Sequence, residues 1–139
     1  MSRVHIPEPL RRLVVARASG RCEYCRLHQD DLPLAHQIDH ILPLKHGGKT
    51  TADNLALACL DCNRHKGSDL TGIDPVAGII VPLFNPRTQI WNEHLTLDGA
   101  RIVGQTSIGR ATVVVLRLND VLRVMQRHAL IRADRYPSM

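Results

Sequence analysis

The spacing of apolar and polar positions along the chain predicts short helices and strands. A first helix is expected over residues 7–19, with Pro7 at its start and Gly20 as its stop signal. Its apolar positions recur at helical intervals: Leu10, Leu13, Val14 and Ala18. The arginines between them would face solvent or a phosphate backbone.

Two short runs in the middle of the chain are typical of strands. Residues 35–41 are bounded by turn signals, and residues 55–58 form a second extended run. His46-Gly47-Gly48 predicts a turn between them. Residues 63–66 would begin a short helix that ends near Gly67.

The second half of the chain predicts a hairpin followed by helices. Asp98-Gly99 is a hairpin signal between residues 91–97 and 101–104. Thr106-Ser107 can cap one helix, and Asp120 can start another. One side of that last helix carries the apolar residues Val121, Leu122, Met125, Ala129 and Leu130. No repeat or linker divides the chain, so one domain over residues 1–139 is expected.

Composition adds a thin core and a positive charge. The 139 residues include one Trp, two Tyr and one Phe, so an aliphatic core is expected. A chain of this length buries a modest core, and a further cross-link would add to its stability. There are 18 Lys+Arg against 13 Asp+Glu, a formal charge of +5, which favours a polyanionic partner. No apolar stretch approaches the roughly 20 residues of a membrane span, and Met1–His5 lacks the apolar region of a signal peptide. A cytoplasmic protein without membrane contact is therefore expected.

The four cysteines form two C-x-x-C pairs. Cys22 and Cys25 are separated from Cys59 and Cys62 by 33 residues, a pattern typical of one tetrahedral zinc site. Two disulfides are the first alternative, and they would need an oxidising compartment. A thiol redox pair is the second, and it would need one such motif on a βαβ scaffold.

The segment between the pairs carries candidate hydrolytic chemistry. Adjacent residues of a strand point to opposite faces, so Asp39 could meet Asn63 around a cation while His40 faces a substrate. Carboxylate and amide oxygens suit Mg²⁺ or Mn²⁺. A neutral imidazole can act as a general base near neutral pH. These are the parts needed to hydrolyse a phosphodiester.

A family resemblance rests on short motifs in fixed order. They are Cys22-x-x-Cys25, Asp39-His40-Ile41-x-Pro43, Gly47-Gly48, Asp53-Asn54-Leu55 and Cys59-x-x-Cys62-Asn63-x-x-Lys66. Over roughly residues 20–70 the chain resembles small bacterial HNH endonucleases of the ββα-metal type. The last motif position, often His in that family, is Asn63 here.

The resemblance implies an α+β fold. It consists of a ββα-metal core (about residues 20–70) with a four-cysteine zinc site, an N-terminal helix, and a hairpin and helical extension over 71–139. It further implies that Asp39 and Asn63 bind the catalytic divalent cation, that His40 is the general base and that Asn54 fixes the loop holding the base. Structural zinc would be bound by the four cysteines.

Basic residues after the last cysteine have two interpretations. Arg64, His65 and Lys66 could contact phosphate, or they could form a solvated helix face. His65 is also a weak candidate for a metal ligand, and His36 could orient substrate or be a half-buried strand residue. From residue 101 onward seven Arg stand against two Asp, which fits either a DNA clamp or ordinary solvated helices.

The sequence therefore predicts a metal-dependent endonuclease that hydrolyses DNA, acting as a monomer or homodimer. The alternative is a zinc-stabilised nucleic-acid-binding module without cleavage activity. The trio Asp39, His40 and Asn63 separates the two, because a binding module needs only the cysteines.

Overall fold

A computed structural model describes residues 4–137 as an α+β fold of short hairpins and helices. The expectation from Met1–His5 rests in part on residues 1–3, which lie outside the described residues. The helices are α1 (Glu8–Arg17), α2 (Leu60–Lys66), α3 (Trp91–His94), α4 (Ser107–Val115) and α5 (Val121–Arg132). The strands are β1 (Gln37–His40), β2 (Leu55–Ala58), β3 (Thr71–Ile73), β4 (Ile80–Pro82), β5 (Leu95–Asp98) and β6 (Arg101–Gly104).

The antiparallel hairpin β1–β2 organises the first half of the molecule. Residues paired across it share a face: His40 lies opposite Leu55, and Asp39 lies opposite Ala56. The face of Leu55 packs on Val14 of α1. The face of Ala56 belongs to the main core around the cysteines. The hairpin thus separates Asp39 from His40, as the alternation of a strand predicts.

The main core contains aromatic side chains, contrary to the expectation of an aliphatic core. All four aromatic residues of the sequence lie in one buried cluster with the cysteines: Tyr24, Phe84, Trp91 and Tyr136. Three of the four cysteines are completely buried and the fourth is nearly so. The few large rings are therefore concentrated around the cysteine cluster and not spread through the fold.

The extension begins with a hairpin that the sequence did not predict. β3 and β4 are three residues each, and only Val81 among their side chains is buried. Such short strands carry almost no alternation that could reveal them. β3 lies against α4, where a Cβ on Gly72 would come within 2.7 Å of Val115.

The predicted strand over residues 91–97 is wrong in its first half. Trp91–His94 forms a helical turn, and β5 begins only at Leu95. The turn is held by tertiary contacts: the indole of Trp91 donates to the carbonyl of Tyr24 at 2.8 Å, and Gln105 donates to the carbonyl of Asn92 at 2.7 Å. The hairpin signal at Asp98-Gly99 and the cap at Thr106 are confirmed.

Helix α5 buries the face opposite to the one expected. Val121, Leu122 and Met125 are 61–79% exposed, whereas Arg123 and Arg127 are buried. Carbonyl oxygens accept from both guanidinium groups: Arg127 donates to Ala100 and Leu118 at 2.7 and 2.6 Å, and Arg123 donates to Leu116 at 2.7 Å. One buried nitrogen of each group has no partner among the described residues. Both interpretations of this arginine-rich end, a DNA clamp and a solvated helix face, are therefore wrong for these two buried residues.

Candidate functional site

The four cysteines converge as their spacing predicts. The ligand atoms of Cys22, Cys25, Cys59 and Cys62 all lie within 4.8 Å of one another. In each pair the second cysteine's N–H donates to the first cysteine's Sγ at 3.4 Å, because the C-x-x-C turn folds the chain back on itself. Two turns separated by a hairpin thus build one buried sulfur cluster.

The sulfur geometry fits a metal ion better than a disulfide. All four thiols are free, and the Sγ atoms of Cys25 and Cys59 are 3.6 Å apart. A disulfide requires about 2.05 Å. Tetrahedral Zn–S bonds of about 2.3 Å place sulfurs about 3.8 Å apart. The cluster can therefore hold a tetrahedral metal ion.

His40 lies at the end of β1 and is partly exposed. Its Nε2 lies 2.9 Å from the hydroxyl oxygen of Thr50, which fixes the orientation of the ring. Burial, with the nearby charge of Lys66, lowers the pKa of His40 below its usual 6.5, although Asp39 opposes this. The imidazole is consequently neutral at pH 7 and able to accept a proton.

Asn54 joins the two ends of the loop that follows His40. Its side chain accepts from the N–H of Leu42 at 2.8 Å and donates to the carbonyls of Leu42 and Lys49 at 3.0 and 2.8 Å. Gly48 is needed for this closure, because a Cβ there would lie 1.6 Å from the carbonyl oxygen of Leu42. The loop next to the imidazole is thereby held in one conformation.

Asp39 lies on the opposite face of β1 and is buried. Its Oδ2 accepts from the hydroxyl of Tyr24 at 2.9 Å and lies 3.2 Å from the ammonium of Lys66. Burial raises the pKa of Asp39, and the lysine and tyrosine only partly offset this. The carboxylate therefore already has a cationic partner within the protein.

Lys66 is placed differently from the sequence expectation of a phosphate contact. Only 2% of it is exposed, and its ammonium also donates to the carbonyls of His40 and Ile41, each at 3.2 Å. With its donors engaged in this way, Lys66 is unavailable to an external phosphate. It fastens the last turn of α2 to the end of β1.

Asn63 and Asp39 are on the same side of the hairpin but contact different groups. The amide of Asn63 donates to the side-chain oxygen of Gln37, two residues before Asp39. Along α2, Asn63 thus lies over Gln37 and Lys66 lies over Asp39. An open cation site between Asp39 and Asn63 is not formed in this arrangement, because the ammonium of Lys66 lies against Asp39.

Comparison with known proteins identifies this region. Residues 22–69 match the family model described as HNH endonuclease. This part of the chain is therefore similar to HNH endonucleases. It is also 26% identical over 121 residues to Septu protein PtuB of Bacillus thuringiensis, covering 82% of this chain and 42% of the relative. The chain thus spans about two fifths of the length of the curated relative it matches.

Arg123 of the extension contacts the HNH cysteines and was missed in the sequence. Its guanidinium donates to the Sγ of Cys62 at 3.0 Å and lies 3.7 Å from that of Cys59. It also donates to the carbonyl of Leu116 at 2.7 Å. In the described part of the chain no carboxylate pairs with this buried cation. The cysteine sulfurs and the carbonyl of Leu116 are acceptors of its N–H groups, and no sequence signal distinguishes this arginine from its neighbours.

The remaining predicted basic residues lie within the matched region, residues 22–69, but have separate surroundings. Arg64 is exposed and pairs with Asp61 at 3.1 Å. His65 is partly exposed, and burial followed by the charge of Arg64 lowers its pKa. His36 is buried, with Nε2 2.8 Å from the carbonyl oxygen of Leu27, so it packs inside the protein and does not face a substrate.

No helix within the described residues is both long and apolar enough to span a membrane.

Proposed function

We propose that this HNH protein is a metal-dependent endonuclease that hydrolyses DNA phosphodiester bonds, with His40 as general base. The observation that carries the proposal is a neutral, partly exposed imidazole at the end of β1 in an HNH domain. Thr50 orients this imidazole, and the loop closed by Asn54 adjoins it.

The chemistry assigned to the chain is one proton transfer. His40 takes a proton from a water molecule, the resulting hydroxide attacks phosphorus, and the P–O bond on the far side breaks. The leaving oxygen takes its proton from solvent. Thr50 keeps the ring oriented for this transfer, and burial keeps the imidazole unprotonated near neutral pH.

A divalent cation, Mg²⁺ or Mn²⁺, would neutralise charge on the phosphate when bound. Asp39 and Asn63 are its proposed ligands on the basis of their motif positions. Their contacts with Lys66 and Gln37 mean that a cation at Asp39 would have to replace the lysine ammonium.

The proposed occupant of the cysteine cluster is structural zinc. Four buried sulfurs close to tetrahedral spacing support this assignment. The cluster leaves no open position for a substrate, which is typical of a structural ion and not a catalytic one.

A second candidate function is a zinc-stabilised nucleic-acid-binding module without cleavage. The pairing of Asp39 with Lys66 favours it, because this carboxylate is already neutralised. The formal charge of +5 agrees with nucleic acid as the partner under either proposal.

Incubation with supercoiled plasmid separates the two functions. The endonuclease should relax the plasmid with Mg²⁺ or Mn²⁺, and brief EDTA treatment should stop it while a gel shift persists. A gel shift without relaxation in either cation would contradict the endonuclease and support the binding module.

A further inference from the structure

A cleft of about 320 Å³ opens between the end of α1, the first cysteine turn and the loop before α3. Three arginines line it, Arg17, Arg21 and Arg26, and Trp91 forms part of its wall. None of these four side chains is a ligand of the proposed zinc ion or takes part in the chemistry assigned to His40.

The cleft carries an excess of positive charge. Glu23 also lines it, but one carboxylate oxygen of Glu23 pairs with Arg87 and the other accepts from the N–H of Leu57 at 2.9 Å. None of the three lining arginines forms an ion pair with a carboxylate in residues 4–137. Three guanidinium groups therefore line one cavity without a direct salt bridge, and the nearest carboxylates, Glu23 and Asp31, act on Arg17 and Arg21 from a greater distance.

Arg26 is held in an uncommon conformation at the mouth of this cleft. Its backbone has a φ of 72°, which non-glycine residues seldom adopt. Its guanidinium carbon lies 4.7 Å from the centre of the Trp91 ring, and the indole itself is fixed by its bond to Tyr24. A guanidinium group can stack on an aromatic face, and its planar set of N–H donors matches the geometry of a phosphate.

The cleft adjoins the hairpin that carries the candidate base. Arg17 donates to the carbonyl of Leu55, and Leu55 is the cross-strand partner of His40. A nucleic-acid strand lying along the end of the β1–β2 hairpin could therefore reach both His40 and the arginines.

We propose that the cleft lined by Arg17, Arg21 and Arg26 binds a backbone phosphate of the nucleic acid, away from the bond that is cut. This inference rests on the proposed function for its ligand. The guanidinium groups supply charge and N–H donors, and the fixed indole of Trp91 keeps Arg26 oriented.

Trp91 provides a direct test because it is the only tryptophan in the sequence. Intrinsic fluorescence is followed while the full chain, without added divalent cation, is titrated with a short oligothymidylate and separately with inorganic pyrophosphate. A saturable change with the oligonucleotide is expected. Arg21→Gln and Arg26→Gln should each weaken it about tenfold and reduce the salt slope by about one, whereas the exposed Arg12→Gln should match the parent.

Equal oligonucleotide affinity for Arg21→Gln and Arg12→Gln would overturn the proposal. A response to pyrophosphate without one to the oligonucleotide would also overturn it, because the cleft would then select free phosphates. Plasmid cleavage without any change in Trp91 fluorescence would contradict phosphate binding in the cleft but not the proposed endonuclease activity. The expected fluorescence change with the oligonucleotide, without plasmid cleavage, would contradict the endonuclease activity but not phosphate binding in the cleft.

Discussion

The ammonium of Lys66 lies 3.2 Å from Oδ2 of Asp39, and both side chains are almost completely buried. This pair joins the end of α2 to β1 at the position proposed to bind the divalent cation. Much of the behaviour expected of the protein follows from the requirement that Asp39 has a positive partner.

Removal of the lysine charge should destabilise the fold. Lys66→Met leaves the Asp39 carboxylate buried and unpaired, and we expect the free energy of unfolding to fall by about 3–5 kcal/mol. Urea denaturation measures the change. Asp39→Asn combined with Lys66→Met should recover most of the loss.

The same variant tests the proposed cation ligand. With the ammonium gone, Mg²⁺ or Mn²⁺ should bind at Asp39 and raise the midpoint of Lys66→Met in urea. The double variant lacks the carboxylate and should not respond. If neither cation changes the urea midpoint of Lys66→Met, Asp39 is not a ligand of the cation.

The cleavage rate should depend on the protonation of His40. Its pKa lies below 6.5, so the rate should be level above that pH and should fall on acidification as the imidazole becomes protonated. A divalent cation bound nearby would lower the pKa further, in the same direction. Initial rates of plasmid relaxation at a series of pH values measure this, and a rate that rises as pH falls would contradict the assignment.

Arg123 should strengthen metal binding by the cysteine cluster. Arg123→Met removes the N–H donor to the Sγ of Cys62 and one buried positive charge beside four thiolates. Loss of such a supporting contact typically weakens metal affinity by about 10–100-fold. Competition with a chromogenic chelator measures the affinity, and Arg132→Met on the exposed side of α5 is the control. Equal affinities for the two variants would show that Arg123 does not support the ion.

Asn54 should hold the conformation of the loop that follows His40. Asn54→Ala leaves three backbone groups without a partner, and we expect a loss of about 1–3 kcal/mol in stability together with slower cleavage. Asn92→Ala, at an exposed position, should change neither quantity. Slower cleavage without any loss of stability would contradict a loop-fixing role.

Local signals explain what the sequence could predict. The two C-x-x-C turns need only short-range folding, and the cysteines do converge. Thr106 caps α4 through its own hydroxyl, and Asp98-Gly99 turns one hairpin. The cap, the hairpin turn and each C-x-x-C turn depend on residues within a few positions of one another, and the convergence of the two pairs follows from the preference of four cysteines for one tetrahedral ion.

Tertiary partners explain what the sequence could not predict. The apolar stripe of α5 indicated one buried face, but the helix buries Arg123 and Arg127, and distant carbonyls and sulfurs accept most of their N–H groups. Lys66 looked solvated beside Arg64, and its burial depends on Asp39, 27 residues earlier. Sequence periodicity carries no information about such distant acceptors.

His40 is the residue on which the proposed cleavage depends most. Initial rates of plasmid relaxation by His40→Ala, in the divalent cation that best supports the parent, test it directly. His128→Ala, at an exposed position on α5, is the control for loss of an imidazole. We predict that His40→Ala is slower by about 100-fold or more while His128→Ala matches the parent. Equal rates for both variants and the parent would contradict His40 as the general base.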